Sequence, residues 1–280
     1  MIKTLSTILT LLISLSAGAA HAGALSALDI MTFADSFECQ DKFPHHSFCE
    51  AVQFKPWTDE EKSVVGSYLA KINDPRLEGI LKKIQQNGIT KIHRVSYSAR
   101  WFNNPQFRRV EFVRSAEKAF LWVNPVTNVI GVTDSFFTGT PFVDPYAQVD
   151  RKQINILHEL MHDFDIATDH AFSMEVYEKA AGWGYNGKEA VIVGVDYEKV
   201  KAEFQSVMAL MKEKRVAEAY ALDRELGRQY GFPTLYAMTN QFEGFAEVVA
   251  YAIFDPTVSQ YYSTELKFYL DKLYNVSTDK

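Results

Sequence analysis

The sequence predicts an α+β fold in which a small, mostly antiparallel sheet is followed by a mainly helical C-terminal half. Three observations carry this. Residues 58–88 hold two helix-start signals and one helix stop; residues 89–137 change to alternating β-branched and aromatic residues; beyond Asp144-Pro145 the apolar residues recur at helical spacing almost to the end. The chain has 280 residues, 47% hydrophobic and 23% charged, with 20 Phe, 14 Tyr and 4 Trp. That is enough bulky apolar area for a sizeable core, and it excludes disorder, collagen and coiled-coil arrays.

Residues 1–22 read as a signal peptide: Lys3 near the start, an apolar stretch from Leu5 to Ala17 broken by Ser and Thr, then Ala20-His21-Ala22 before Gly23. Cleavage is expected after Ala22, with an uncleaved N-terminal anchor as the alternative. The mature chain is therefore expected to be secreted or periplasmic. Nothing later approaches 18 uninterrupted apolar residues, so no stable membrane insertion is expected. The net charge of −6, with no basic run, argues against nucleic acid as a partner. No internal repeat and no oligomer signal stand out.

Residues 23–57 show weak periodicity and are read as an irregular arm that wraps the domain formed by residues 58–280. The arm carries both cysteines, Cys39 and Cys49, and in an exported chain a disulfide between them is expected, contributing about 2–3 kcal/mol. The competing reading, a metal site with His45 and His46, packs its ligands more tightly than usual zinc spacings.

Thr58 to Glu61 forms a capping box that opens a helix to about Ile72, and Asp74-Pro75 starts a second helix that stops at Asn87-Gly88. Strands are expected at Lys91 to Tyr97, Arg109 to Val113, Ala119 to Val123 and Asn128 to Thr133. Asn124-Pro125 through Asn128 is turn chemistry, so the last two should form a hairpin. Lone His93 is read as a packed or exposed strand residue. Helices are then expected over Asp150 to about Thr168, Tyr197 to Tyr230 with a break near Lys212 to Arg215, Asn240 to Phe254, and Ser263 to Tyr274.

The chemistry concentrates in two of these helices. His158, Glu159 and His162 make an HExxH pattern on the helix that Asp150 caps. At about 100° per residue, positions four apart diverge by only about 40°, so both imidazoles project from one face and can share an ion. Glu159, one step round, is placed to take a proton from a water on that ion rather than to ligate. A catalytic zinc site needs a third protein ligand on another element. The stretch Gln241 to Ala250 offers Glu243 and Glu247, two acids on one face of an otherwise apolar helix. Taken alone, Glu243 reads equally as an acid serving the helix N-terminus.

The segment from Tyr236 through Thr239, Asn240, Glu243, Phe245, Ala246 and Glu247 resembles the zinc-site segment of the lethal-factor-like HExxH peptidases, in which a Tyr lies seven residues before the third zinc ligand. His158 through Asp165 is similar to the same family's HExxHxxD. The likeness covers about residues 150–275. It departs in two respects: the stretch between the two motifs is longer, and Gly244 stands where the family has an aromatic. The resemblance implies a zincin-like fold and a gluzincin metallopeptidase with Zn held by His158, His162 and Glu243. It assigns Glu159 as general base and Tyr236 as the donor to the developing oxyanion, acting on a protein or peptide substrate. Glu247 is the expected support for His158, and Asp165 for the loop or a ligand. Two rivals stay open: an exported binding protein that keeps the zinc without turnover, and an interaction protein in which HExxH is incidental.

Overall fold

The computed structural model describes residues 24–38, 52–88, 90–97, 121–124, 129–139, 141–187 and 189–276. The expected signal peptide, the Cys39–Cys49 bridge and the expected strand Arg109 to Val113 lie outside these residues, as does most of the Asn124 to Asn128 turn. The fold class is α+β, with a small mixed sheet and a helical majority.

The arm departs from the irregular segment expected of it. Ser26 and Asp29 box a single helical turn, Ala27–Ile30, and the chain then enters strand β1, Thr32–Ala34, and after the cysteine segment β2, Val52–Lys55. Thr58 caps helix α1, Asp59–Leu69, by the expected box: its hydroxyl accepts from Glu61 N at 3.2 Å, and Glu61 accepts from Thr58 N at 3.1 Å. Asp74 and Pro75 open a 3-10 turn that runs into α2, Glu78–Gln86, which ends at Gly88 with φ 74°. Strand β3, Lys91–Tyr97, follows, then the hairpin β4, Leu121–Asn124, and β5, Val129–Val132.

The sheet is mixed rather than mostly antiparallel. Its order is β1-β3-β5-β4, with β2 also on β3. Residues 91–93 of β3 pair parallel with β1, and residues 94–97 pair antiparallel with β2, so the two arm strands share one flank of β3. The hairpin enters through its outer strand and returns through its inner one, which lays β5 parallel to β3. That reversal is a matter of spatial order, and no residue pattern within the strands encodes it.

Helix α3, Arg151–Ala167, starts at Asp150, whose side chain accepts from Lys152 N at 2.9 Å. Its residues Ile154, Leu157, Leu160, Met161 and Phe164 are at most 1% exposed, so the helix runs through the core. Beyond it the chain departs from the unbroken helical run that the spacing predicts. A short hairpin, β6 Trp183–Asn186 and β7 Glu189–Ile192, turns at Gly187 with φ 70°. Asn186 pairs with Glu189, so Gly187 opens the two-residue loop, a place that favours glycine. The long helical run breaks where expected, into α4, Tyr197–Lys212, and α5, Val216–Gln229, with Lys214 at φ 62°. A 3-10 turn, Tyr236–Met238, leads to α6, Gln241–Phe254, which packs directly on α3, and Ser263 caps α7, Thr264–Tyr274. Among the described residues no helix is long and apolar enough to cross a membrane.

His93, on β3, is buried edge-on against the rings of Phe37 and Phe54. Burial, with a smaller push from the charge of Lys91, lowers its pKa to about 4. An unfolded histidine titrates near 6.5, so folding favours the neutral ring. This contribution is complete above pH 6.5 and is lost as pH falls towards 4, up to roughly 3 kcal/mol. Urea unfolding at pH 7 and pH 4.5 should therefore show a loss of stability that His93→Leu largely removes; an identical pH dependence in the variant would contradict this role.

Candidate metal centre

The two motif helices meet with their functional groups facing. On α3, His158 and His162 stand one turn apart, flanked by core residues that fix the helix face. On α6, Asn240 caps the first turn, accepting from Phe242 N and Glu243 N, both at 3.0 Å. Glu243 thus occupies the third helical position, where the unpaired N–H groups and the helix dipole favour a negative charge. Phe245, Val248 and Val249 of α6 are wholly buried and hold the helix against its neighbours.

Three donor atoms converge between the helices. His158 Nε2 lies 3.0 Å from Glu243 Oε2, His162 Nε2 lies 3.4 Å from the same oxygen, and the two Nε2 atoms are 3.1 Å apart. Ligands at 2.0–2.1 Å around a tetrahedral zinc are about 3.3 Å from one another, so this triangle has the size of one face of such a site. The chemistry of the donor set agrees. The other nitrogen of His158, Nδ1, lies 3.1 Å from Glu247 Oε1, so a neutral ring with its proton on that side would present Nε2 to an ion shared with Glu243 and His162. Burial disfavours charge on His158, yet the acceptors Glu243 and Glu247 outweigh it and push its pKa up to about 10. Burial likewise opposes charge on Glu243, and the two histidines outweigh it, holding that carboxyl well below the usual range. The centre is electrostatically made for positive charge.

Glu247, 1% exposed, is the hinge between this triangle and the core. Besides His158 it meets Arg151 Nη2 at 3.5 Å, and its second oxygen accepts from Thr234 Oγ1 at 2.7 Å. Burial raises its pKa, but the charges of Arg151 and His158 and the hydrogen bonds bring it down to about 2. Thr234 in turn accepts from Ala237 N at 3.0 Å, so a single hydroxyl joins Glu247 to the Tyr236 turn.

Tyr236 stands on that turn with its ring centroid 6.2 Å from that of His158. The side chain is exposed at its surface, but desolvation of the phenol among its neighbours and the charges of Glu243, Glu159 and Glu247 hold its pKa well above the ordinary range, so it stays protonated and able to donate. The turn is fixed from behind by Asp223 on α5, whose carbonyl accepts from Leu235 N at 2.9 Å and whose carboxylate accepts from Tyr236 N at 3.1 Å. Two glycines permit the close packing. A Cβ on Gly227 would fall 2.1 Å from the carbonyl carbon of Thr234, and one on Gly244 would fall 2.5 Å from Ala237 O and 2.6 Å from the Tyr177 hydroxyl. Gly244 is therefore glycine because α6 crosses the turn too closely for any side chain.

Glu159 is half-buried beside His158, and its charge is felt at His158, Tyr236 and Asp163. Asp165 does not reach a ligand. It holds the following loop, accepting from Ser173 N at 3.1 Å and Ser173 Oγ at 2.7 Å and facing His170 Nδ1 at 2.8 Å. That loop starts with Asp169 and His170, both left-handed at φ 53° and 59°. Asp163 is wholly buried and its oxygens have no hydrogen-bond partner among the described residues; burial, and to a lesser degree the Glu159 charge, push its pKa well up from its ordinary value.

Sequence reasoning missed Arg151, Thr234, Asp223 and the reason for Gly244. Arg151 was visible as a basic residue in the first turn of α3, where the dipole disfavours it, and such an anomaly is the signal that a partner must exist. Comparison with protein-family models, curated proteins and solved structures returns no match.

Partners of this kind on a ligating histidine set ring orientation and basicity. Glu247→Gln should weaken zinc binding ten- to a hundredfold, and Thr234→Val should weaken it less, since it removes one of Glu247's contacts. Competition with a chromophoric chelator at pH 7.5 measures both; unchanged affinity in Glu247→Gln would refute the arrangement.

Proposed function

We propose that this chain is an exported zinc metallopeptidase of the HExxH-plus-Glu class, acting on a protein or peptide substrate. The observation that carries the reading is the triangle of His158, His162 and Glu243, three ligand atoms from two helices converging at the size of a zinc face. Those three residues would hold the ion. Bound there, zinc supplies Lewis acidity and brings the pKa of a water near 7.

The roles of the chain's own groups follow from their positions. Glu159, adjacent to the ligands without being one of them, accepts the proton of the attacking water and returns it to the leaving amine. Tyr236 keeps its proton at neutral pH and donates a hydrogen bond where negative charge develops on the scissile carbonyl oxygen. Glu247, backed by Arg151 and Thr234, orients His158. Strand β4 is one edge of the sheet among the described residues, opposite β1 and β2, and packs against α3, which supports reading it as the edge to which an extended peptide adds beside the site. The order of elements, a small sheet, then the helix carrying HExxH, then a downstream helix carrying Glu243, supports the zincin-like reading.

An intact base beside the ligands favours turnover over a zinc that merely joins two helices. The zinc-loaded protein should hydrolyse members of a mixed peptide library, with Glu159→Gln reducing the rate by about 10²–10⁴ and Tyr236→Phe by about 10²–10³. Stoichiometric zinc with no hydrolysis, or hydrolysis indifferent to Glu159→Gln, would contradict the assignment and leave a zinc-containing binding protein.

A further inference from the structure

Four buried acids, Asp144, Asp223, Glu247 and Asp255, are packed among arginines behind the Tyr236 turn. Three of them are secured by ion pairs. Glu247 has Arg151 at 3.5 Å, Asp144 has Arg224 at 3.3 Å, and Asp255 meets both Arg224 and Arg228. Asp223 of α5 is the exception. It is 5% exposed, and among the described residues no cation makes an ion pair with it; its carboxylate instead accepts from the backbone N–H of Tyr236 at 3.1 Å. The charged and titratable groups that face it are Arg151 on α3, Glu247 on α6, and Arg224 and Tyr220 on its own helix. Arg151 is drawn to Asp144 and Glu247 as well, so Asp223 has only a share of its charge.

We propose that Asp223 is a positioning residue under proton control: ionised, it holds the Tyr236 turn in place beside the metal centre, and protonated, it holds that turn less firmly. The inference rests on the peptidase reading and adds a regulation of that site. A buried acid keeps its charge only where partners compensate for the lost water, and of the four Asp223 has the poorest set. Burial, with a push from the Glu247 charge, outweighs Arg151, the Tyr236 N–H and Arg224 and raises its pKa to about 7. Its proton is therefore exchanged in the neutral range, far above the ordinary range of an aspartate. A carboxylate accepts a hydrogen bond more strongly than a carboxylic acid does, so losing the proton tightens the bond to Tyr236 N. That N–H belongs to the same residue as the phenol assigned to the oxyanion, whose ring lies 6.2 Å from that of His158, so slack in the turn reaches the donor directly.

The test follows the Tyr236 amide by NMR in zinc-loaded protein labelled with 15N-tyrosine, where Tyr236→Phe identifies its signal. Zinc keeps its histidine ligands from titrating. Between pH 5.5 and 8.5 the signal should shift with a midpoint of about 7 in the wild type. It should stay in place in Asp223→Asn, which keeps the acceptor oxygen but cannot ionise. For a library peptide that the wild type cuts, the ratio of wild-type to Asp223→Asn kcat should be near one at pH 5.5 and rise to about tenfold at pH 8.5, with KM unchanged. Taking the ratio cancels ionisations common to both proteins. In the Tyr236→Phe background the same substitution should change kcat less than about twofold, because Asp223 acts through Tyr236. A Tyr236 amide that does not titrate in the wild type would overturn the proposal even if the variant fails to fold. So would an amide that titrates alike in Asp223→Asn, or a kcat ratio independent of pH. An amide that behaves as predicted, with no hydrolysis of any peptide at any pH, would leave the hold of Asp223 on the turn standing and remove the peptidase reading instead.

Discussion

A carboxylate buried between two helices is the constraint around which this molecule is organised. Glu247 sits in the contact of α3 and α6 among Phe245, Val248 and Val249, and an ionised group there is costly unless several partners reach it. Arg151, His158 and Thr234 are those partners. Arg151 and His158 are seven residues apart on α3, two turns along one face, so the interface carries a charged row flanked by apolar packing. Removing one member strands the others; for a buried ion pair that is about 3–5 kcal/mol. The same requirement fixes the ring of His158, and with it the position of the nitrogen that faces Glu243.

A second buried cation extends the scaffold. Arg224, wholly buried on α5, pairs with Asp144 ahead of α3 and Asp255 at the end of α6, and donates to the carbonyl of Pro233. Its guanidinium also lies 3.9 Å from the centre of the Tyr251 ring. Pro233 immediately precedes Thr234, so the segment that carries Tyr236 is tied by Arg224 at its start, by Asp223 along its length and by close helix packing at Gly227 and Gly244. Groups held this way need little rearrangement when charge develops beside them, which is where preorganised donors gain their effect.

What the sequence disclosed and what it withheld divide along the range of the interactions. HExxH was legible because residues four apart on one helix fix a geometry locally, and Asn240 with Glu243 because a cap and its third position are one turn apart. The capping box at Thr58 and the break before Val216 are likewise local and appear where expected. The pairing of Glu247 with Arg151 and Thr234 spans 96 and 13 positions and leaves no local trace beyond a cation where the helix dipole disfavours one. Strands β1 and β2, three and four residues long, are too short for alternation to register, and they exist because β3 has a free flank to be paired. The hairpin after Asn186 had only the loop glycine, Gly187, as its signal, and the helical spacing on either side obscured it. Gly244, a departure from the resembled peptidases when seen in sequence, is explained only by the carbonyl of Ala237 and the hydroxyl of Tyr177 above it.

The central claim is that His158, His162 and Glu243 bind one zinc ion, and the most direct measurement is X-ray anomalous scattering at the zinc edge from crystals of the zinc-loaded protein. The account predicts a single strong peak 2.0–2.1 Å from two imidazole Nε2 atoms and about 2.0–2.2 Å from a Glu243 oxygen, with Glu247 still on the far nitrogen of His158. A peak elsewhere, or none between α3 and α6 in zinc-saturated crystals, would contradict it.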